Sequence, residues 1–157
     1  MLYCQGSTVS FQEVPDEVSL VFQIADCPFH CPGCHSPQLW EAEGTDLESC
    51  MDQEIEKYRD AITCVCFMGE GQDKEALERC ANRVKNYWNL HTALYTGNNV
   101  VPVNFCRLFD YIKMGPYIKE LGGLDNPNTN QKMFYIEWQD DWFLVNNITE
   151  RFQRRNS

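Results

Sequence analysis

The chain has 157 residues, 43% of them hydrophobic and 13% aromatic, enough for one sizeable core and too few for a second domain. A formal net charge of −10 argues against non-specific binding to nucleic-acid phosphates, and no apolar stretch reaches the length of a membrane span. Nine cysteines, an odd number in a chain without a hydrophobic N-terminal leader, favour reduced thiols and ligands in a cytoplasmic protein over a disulfide framework.

In chain order, Val18 to Ile24 (VSLVFQI) is mostly β-branched and apolar and reads as a buried strand. Leu47, Met51, Ile55 and Tyr58 recur at helical spacing behind two candidate caps, Thr45 and Asp46. Ala61 to Met68 (AITCVCFM) is a second apolar strand, stopped by Gly69-Glu70-Gly71. A longer helix opens near Asp73 with Leu77, Cys80, Ala81, Val84 and Tyr87 as its apolar stripe. Thr92 to Thr96 forms a third strand ending at Gly97, Phe105 to Lys113 contains a fourth, and Met133–Ile136 with Trp142–Val145 form a late hairpin around Gln139-Asp140-Asp141. Alternation of strands and helices predicts an α/β fold: a partial, open β/α barrel of mostly parallel strands with covering helices, as a single domain over 1–157. Loops that follow strand C-termini would line one rim, where open α/β sheets bind ligands.

The first such loop is Asp26-Cys27-Pro28-Phe29-His30-Cys31-Pro32-Gly33-Cys34-His35. Three residues separate its first pair of cysteines and two the second, so one short segment brings three thiolates to a point. Cysteine is the usual ligand of iron–sulfur clusters, and a full set is four. Three leave one iron open to a small molecule, as an open position does at other catalytic metals. A zinc site would recruit His30 or His35 as fourth ligand, although zinc ligands usually come as two pairs from separate segments. Inert thiols are the remaining alternative. Cys64 and Cys66, two apart on a strand, share one face; core packing is favoured there over a second metal site, as for Cys4, Cys50, Cys80 and Cys106.

The spacing of Cys27, Cys31 and Cys34 resembles the signature of the radical S-adenosylmethionine superfamily. The run Cys27 to Ser36 followed by Trp40, then Leu94-Tyr95-Thr96-Gly97, Asp110 to Tyr117 and Thr129-Asn130-Gln131 are similar, in the same order, to activating proteins of anaerobic ribonucleoside-triphosphate reductases. Gly33 before the third cysteine is also common among those activators. One departure is the order Gly69-Glu70-Gly71, where the family usually has two adjacent glycines before an acidic residue.

The resemblance implies that Cys27, Cys31 and Cys34 ligate a 4Fe–4S cluster whose open iron chelates S-adenosylmethionine. Reductive cleavage would yield a 5′-deoxyadenosyl radical that takes a hydrogen atom from a glycine Cα of a large reductase subunit. It further implies cofactor contacts by Gly33, Cys34 and His35, by Gly69, Glu70 and Gly71 near the methionine amino group, and by Tyr95 and Thr96 near the ribose or methionine portion. Phe29 and Trp40 are read as core aromatics first, with shielding of the cluster as the alternative. No catalytic side chain is implied beyond these. The implied partners are the large glycyl radical subunit and a low-potential electron donor of flavodoxin or ferredoxin type, with no nucleic acid and no membrane. Competing readings are an activase of pyruvate formate-lyase type, a radical enzyme acting on a small molecule, and a non-catalytic zinc-binding interaction module. The basic residues Arg151, Arg154 and Arg155 are read as a solvated terminus.

Overall fold

The run SLVFQI forms β2 (Ser19–Ile24), almost wholly buried, because its alternate residues are apolar on both faces of a sheet. It lies inside an eight-stranded sheet built from β1 (Tyr3–Ser10), β2, β3 (Thr45–Asp46), β4 (Cys64–Met68), β5 (His91–Tyr95), β6 (Tyr111–Met114), β7 (Lys132–Gln139) and β8 (Trp142–Asn147). The helices are α1 (Leu47–Tyr58), α2 (Lys74–Asn86), α3 (Val103–Leu108) and α4 (Glu150–Gln153). This computed structural model describes residues 1–34, 36–139 and 141–153. Asp140, Arg154 and Arg155 lie outside the described residues.

The strand order is β3-β1-β2-β4-β5-β6-β7-β8. The expected partial barrel of mostly parallel strands is overturned: among the described residues this is a mixed sheet in which antiparallel pairings predominate, with four short helices. Among the described residues β2–β4, β4–β5 and β5–β6 run parallel, whereas β1–β2, β1–β3, β6–β7 and β7–β8 run antiparallel. The physical cause lies in the connections. A parallel neighbour needs a crossover, usually helical, and α1, α2 and α3 supply one each between the central strands. The links β1 to β2, β6 to β7 and β7 to β8 carry no helix, so each returns the chain alongside the strand it has just left. β1 has no apolar signature because YCQGSTVS is polar, and its register shifts between Cys4 and Ser7, around Gly6.

Helices α1, α2 and α3 cover one face of the sheet. Phe22, Phe67, Leu94 and Ile112 from the strands pack there with Leu47, Met51, Ile55, Leu77, Val84 and Phe105. Asp46 caps α1 by accepting from the Glu48 N–H at 3.2 Å, and Asp73 caps α2 by accepting from Ala76 N–H at 3.1 Å. On the opposite face Val21, Cys64, Cys66, Ala93, Tyr111 and Met133 form a second core, closed by Val14, Leu124 and Phe152 from flanking segments. That second face, with no long helix over it among the described residues, leaves room for a cavity at the C-terminal ends of β2, β4, β5 and β6. No helix among the described residues is long and apolar enough to cross a membrane.

Candidate cofactor site

Immediately after β2 the chain turns outward at Asp26, whose φ is +63°. Gln72, beyond the end of β4, donates to the Asp26 carboxylate at 3.0 Å and holds this corner. The following loop is pinned at its neck: Asp26 N–H donates to Glu41 O and Cys27 N–H to Leu39 O, both at 3.0 Å. Within the loop Cys34 N–H donates to Cys31 O at 3.0 Å across Pro32-Gly33, and Gly33 has φ +77°. Proline then glycine is the pair that a turn with a left-handed second corner requires. Ser36 N–H points at Cys34 Sγ at 3.4 Å, a donor onto the sulfur. His30 stacks on Trp40 with ring centroids 4.7 Å apart and planes 8° from parallel.

Cys27, Cys31 and Cys34 all line one cavity of about 1070 Å³, together with Phe29 and Trp40 of the same loop. From the strand ends it takes in Gly69, Tyr95 and Thr96. Gly33, Glu70 and Gly71 are not among the described residues that line it. A Cβ on Gly33 would face the stem of Lys119 at 3.5 Å, and Gly71 packs against Leu2. Glu70 is buried and accepts from Asn98 Nδ2 at 2.7 Å. His35 lies outside the described residues.

Sequence reasoning misses Lys113, the only lysine or arginine among the described lining residues. It alternates with Tyr111 on β6 and so shares the cavity face of the sheet, a period-2 signal that is readable only once the strand's bounds are known. Its Nζ lies 5.3 Å from the centroid of the Tyr95 ring, and the Tyr95 hydroxyl donates to the carbonyl of Glu13. Burial pushes the Lys113 amine down to about 8, opposed by the nearby sulfurs of Cys31, Cys66, Cys34 and Cys27. Because the folded value is below the unfolded one, the unfolded chain holds more protons between about pH 8 and 10.5, and folding stability rises with pH across that window. Lys113→Met should therefore stabilise the cofactor-free chain at pH 7 by as much as about 3 kcal/mol, because each tenfold weakening of proton binding costs about 1.4 kcal/mol. Urea unfolding at pH 7 and at pH 10 checks this; the gain should shrink at the higher pH.

The other thiols differ in kind. Burial pushes Cys64 and Cys66 well up, and Cys80 up to about 12, so all three are neutral core groups at pH 7. Among the described residues no group of three or more His, Cys, Asp or Glu is gathered closely enough to hold one metal ion. A single zinc bonds each thiolate at about 2.3 Å and so needs its sulfurs within about 4 Å of one another. A cluster spreads its ligands over separate irons and accepts a wider triangle. Three thiols on one cavity wall, an N–H aimed at Cys34 Sγ, and a buried Trp40 Nε1–H without an acceptor among the described residues fit such a group.

Gly97 ties the strand ends to the cysteine loop. A Cβ there would lie 2.8 Å from ring carbons of Phe29. Gly97→Ala should push Phe29 and its loop outward at a cost of about 1–3 kcal/mol, the usual range for overpacking. The expected result is a modest fall in melting temperature with a severalfold fall in bound iron after anaerobic reconstitution; unchanged iron content would contradict the contact. Compared with protein-family models, with curated proteins and with solved structures, the chain matches none.

Proposed function

We propose that this chain is the activase of an anaerobic ribonucleotide reductase, a radical S-adenosylmethionine enzyme that installs a glycyl radical in a separate large subunit. The observation that carries the reading is the shared cavity: the three cysteines at their characteristic spacing, the ends of β4 and β5, and one cation all border it. When bound, a 4Fe–4S cluster supplies the electron that splits S-adenosylmethionine into methionine and a 5′-deoxyadenosyl radical, which takes the glycine hydrogen. Cys27, Cys31 and Cys34 are the residues that would hold the cluster.

The chain's own contribution is orientation and exclusion of water. Lys113, charged below about pH 8, suits the carboxylate of the cofactor. Thr96 and the Gly69 backbone border the space its polar end would occupy, and Tyr95 is braced against the β1–β2 loop by its hydroxyl bond. Phe29, Leu39 and Trp40 supply an apolar wall on the cysteine side. A low-potential flavodoxin or ferredoxin would deliver the electron.

Anaerobic reconstitution tests the reading. The expected product is a brown protein with iron and sulfide that, under a strong reductant, releases methionine and 5′-deoxyadenosine slowly and bleaches in air. A colourless protein that takes up zinc and leaves S-adenosylmethionine intact would overturn it in favour of a zinc-binding module.

A further inference from the structure

Glu70 is a buried carboxylate, 5% exposed, that borders the cavity's rim without lining it. Its Oε2 accepts from Asn98 Nδ2 at 2.7 Å. Asn98 in turn closes two further bonds: its N–H donates to Thr96 Oγ1 at 3.1 Å, and its carbonyl accepts from Gly115 N–H at 2.9 Å. Thr96 N–H donates to Lys113 O at 2.9 Å. One asparagine therefore joins the segments that leave β4, β5 and β6. The residues beside it do the lining: Thr96 and Gly97 before it, and Gly115 across from it, all face the cavity, and Gly97 meets Phe29 of the cysteine loop.

From this geometry we infer that Glu70 is a positioning residue: it acts through Asn98, fixing the Thr96-Gly97-Asn98 turn, and does not itself touch the cofactor. The inference rests on the reading of the cavity as an S-adenosylmethionine site. A direct ion pair with the methionine ammonium would need the carboxylate to face the cavity, and its observed partner is instead an amide behind the wall. The half-buried Asn98 amide loses its side-chain acceptor without Glu70, and an unmet donor is costlier than the bond itself is worth. Shifting the turn would move Thr96, Gly97 and the Phe29 contact together, and small displacements of a positioned group are costly in such sites.

Two measurements on the reconstituted holoprotein and its cluster-free form separate the possibilities. The first is S-adenosylmethionine affinity, read from the change it causes in the electron paramagnetic resonance spectrum of the reduced cluster. Glu70→Gln keeps an acceptor for Asn98 but loses the charge, and is expected to bind within about twofold of the parent. Glu70→Ala and Asn98→Ala should each weaken binding by roughly tenfold or more, and the double variant should be no worse than either alone. The second is amide hydrogen exchange in the cluster-free chain, where the Gly115 N–H should lose protection in Glu70→Ala and Asn98→Ala and keep it in Glu70→Gln. If Glu70→Gln binds as poorly as Glu70→Ala while Asn98→Ala binds normally, Glu70 contacts the cofactor directly and the inference is wrong. If the parent protein binds no S-adenosylmethionine, the functional reading fails instead; the exchange pattern then decides the brace alone, and unchanged Gly115 protection in Glu70→Ala sinks it.

Discussion

Cys27→Ala is expected to abolish both the intact cluster and the cleavage of S-adenosylmethionine, while Cys64→Ala leaves both in place. The contrast follows from where the sulfurs are. Cys27 lines the cavity beside Cys31 and Cys34, and no fourth cysteine is among the described lining residues to take its place. Cys64 is fully buried in the second core, its thiol held neutral by burial, and the sulfur of a neutral core thiol is a packing atom. Removing it should cost about 1 kcal/mol of stability, the typical size of a small core change. Cys31→Ala and Cys34→Ala should repeat the Cys27 result, with Cys34→Ala also freeing the Ser36 N–H. Iron and sulfide analysis after anaerobic reconstitution, followed by quantified 5′-deoxyadenosine, reads the difference. A Cys27→Ala protein that assembles four irons and turns over normally would remove the assignment of these ligands.

The parts of the fold legible in the sequence are those where burial writes a pattern. Most of VSLVFQI and the CVCFM end of AITCVCFM become β2 and β4, because a strand covered on both faces must be apolar throughout; Ala61, Ile62 and Thr63 precede β4. Leu47, Met51 and Ile55 line the buried stripe of α1 for the same reason at helical period. The strands that decide the sheet's overall character leave weaker marks. β1 alternates little and carries Gly6 at an irregular register, and β3 is two residues long, so neither reads as a strand. Without them the alternation of strand and helix suggests a barrel; with them, and with the β7–β8 hairpin on the other edge, the sheet is mixed. At the site, cysteine spacing is legible because few roles demand three thiols so close together in the chain. Lys113 is hidden because its direction depends on the register of β6, and Glu70 because a turn between glycines does not say which way its side chain points.

The largest effect should appear only when a second protein is present. The cavity, at about 1070 Å³, is as large as the largest usual small-molecule sites and opens to solvent. Its rim is unfinished: Phe11, a large apolar side chain on the β1–β2 loop, borders the cavity yet is 71% exposed. Tyr117 and Asp125, on the long connection between β6 and β7, border it from another side. Sites that hold small substrates bury most of the ligand, and an exposed aromatic rim suits a loop from another polypeptide that completes the wall on arrival. The isolated chain should accordingly cleave S-adenosylmethionine slowly and without a product radical of its own. With reductant and the large reductase subunit added, a glycyl radical should form in that subunit, seen as a doublet in the electron paramagnetic resonance spectrum. Replacing the subunit's radical glycine by alanine should erase the doublet and leave the reconstituted chain's iron content unchanged. Phe11→Ser, at the rim and outside the cysteine loop, should slow radical formation severalfold and by a larger factor than it slows uncoupled cleavage, the loss expected where a buried interfacial aromatic is a hot spot. If no radical reaches the reductase and a small metabolite is instead consumed in step with S-adenosylmethionine, the rim receives that metabolite and the chain is a small-molecule enzyme.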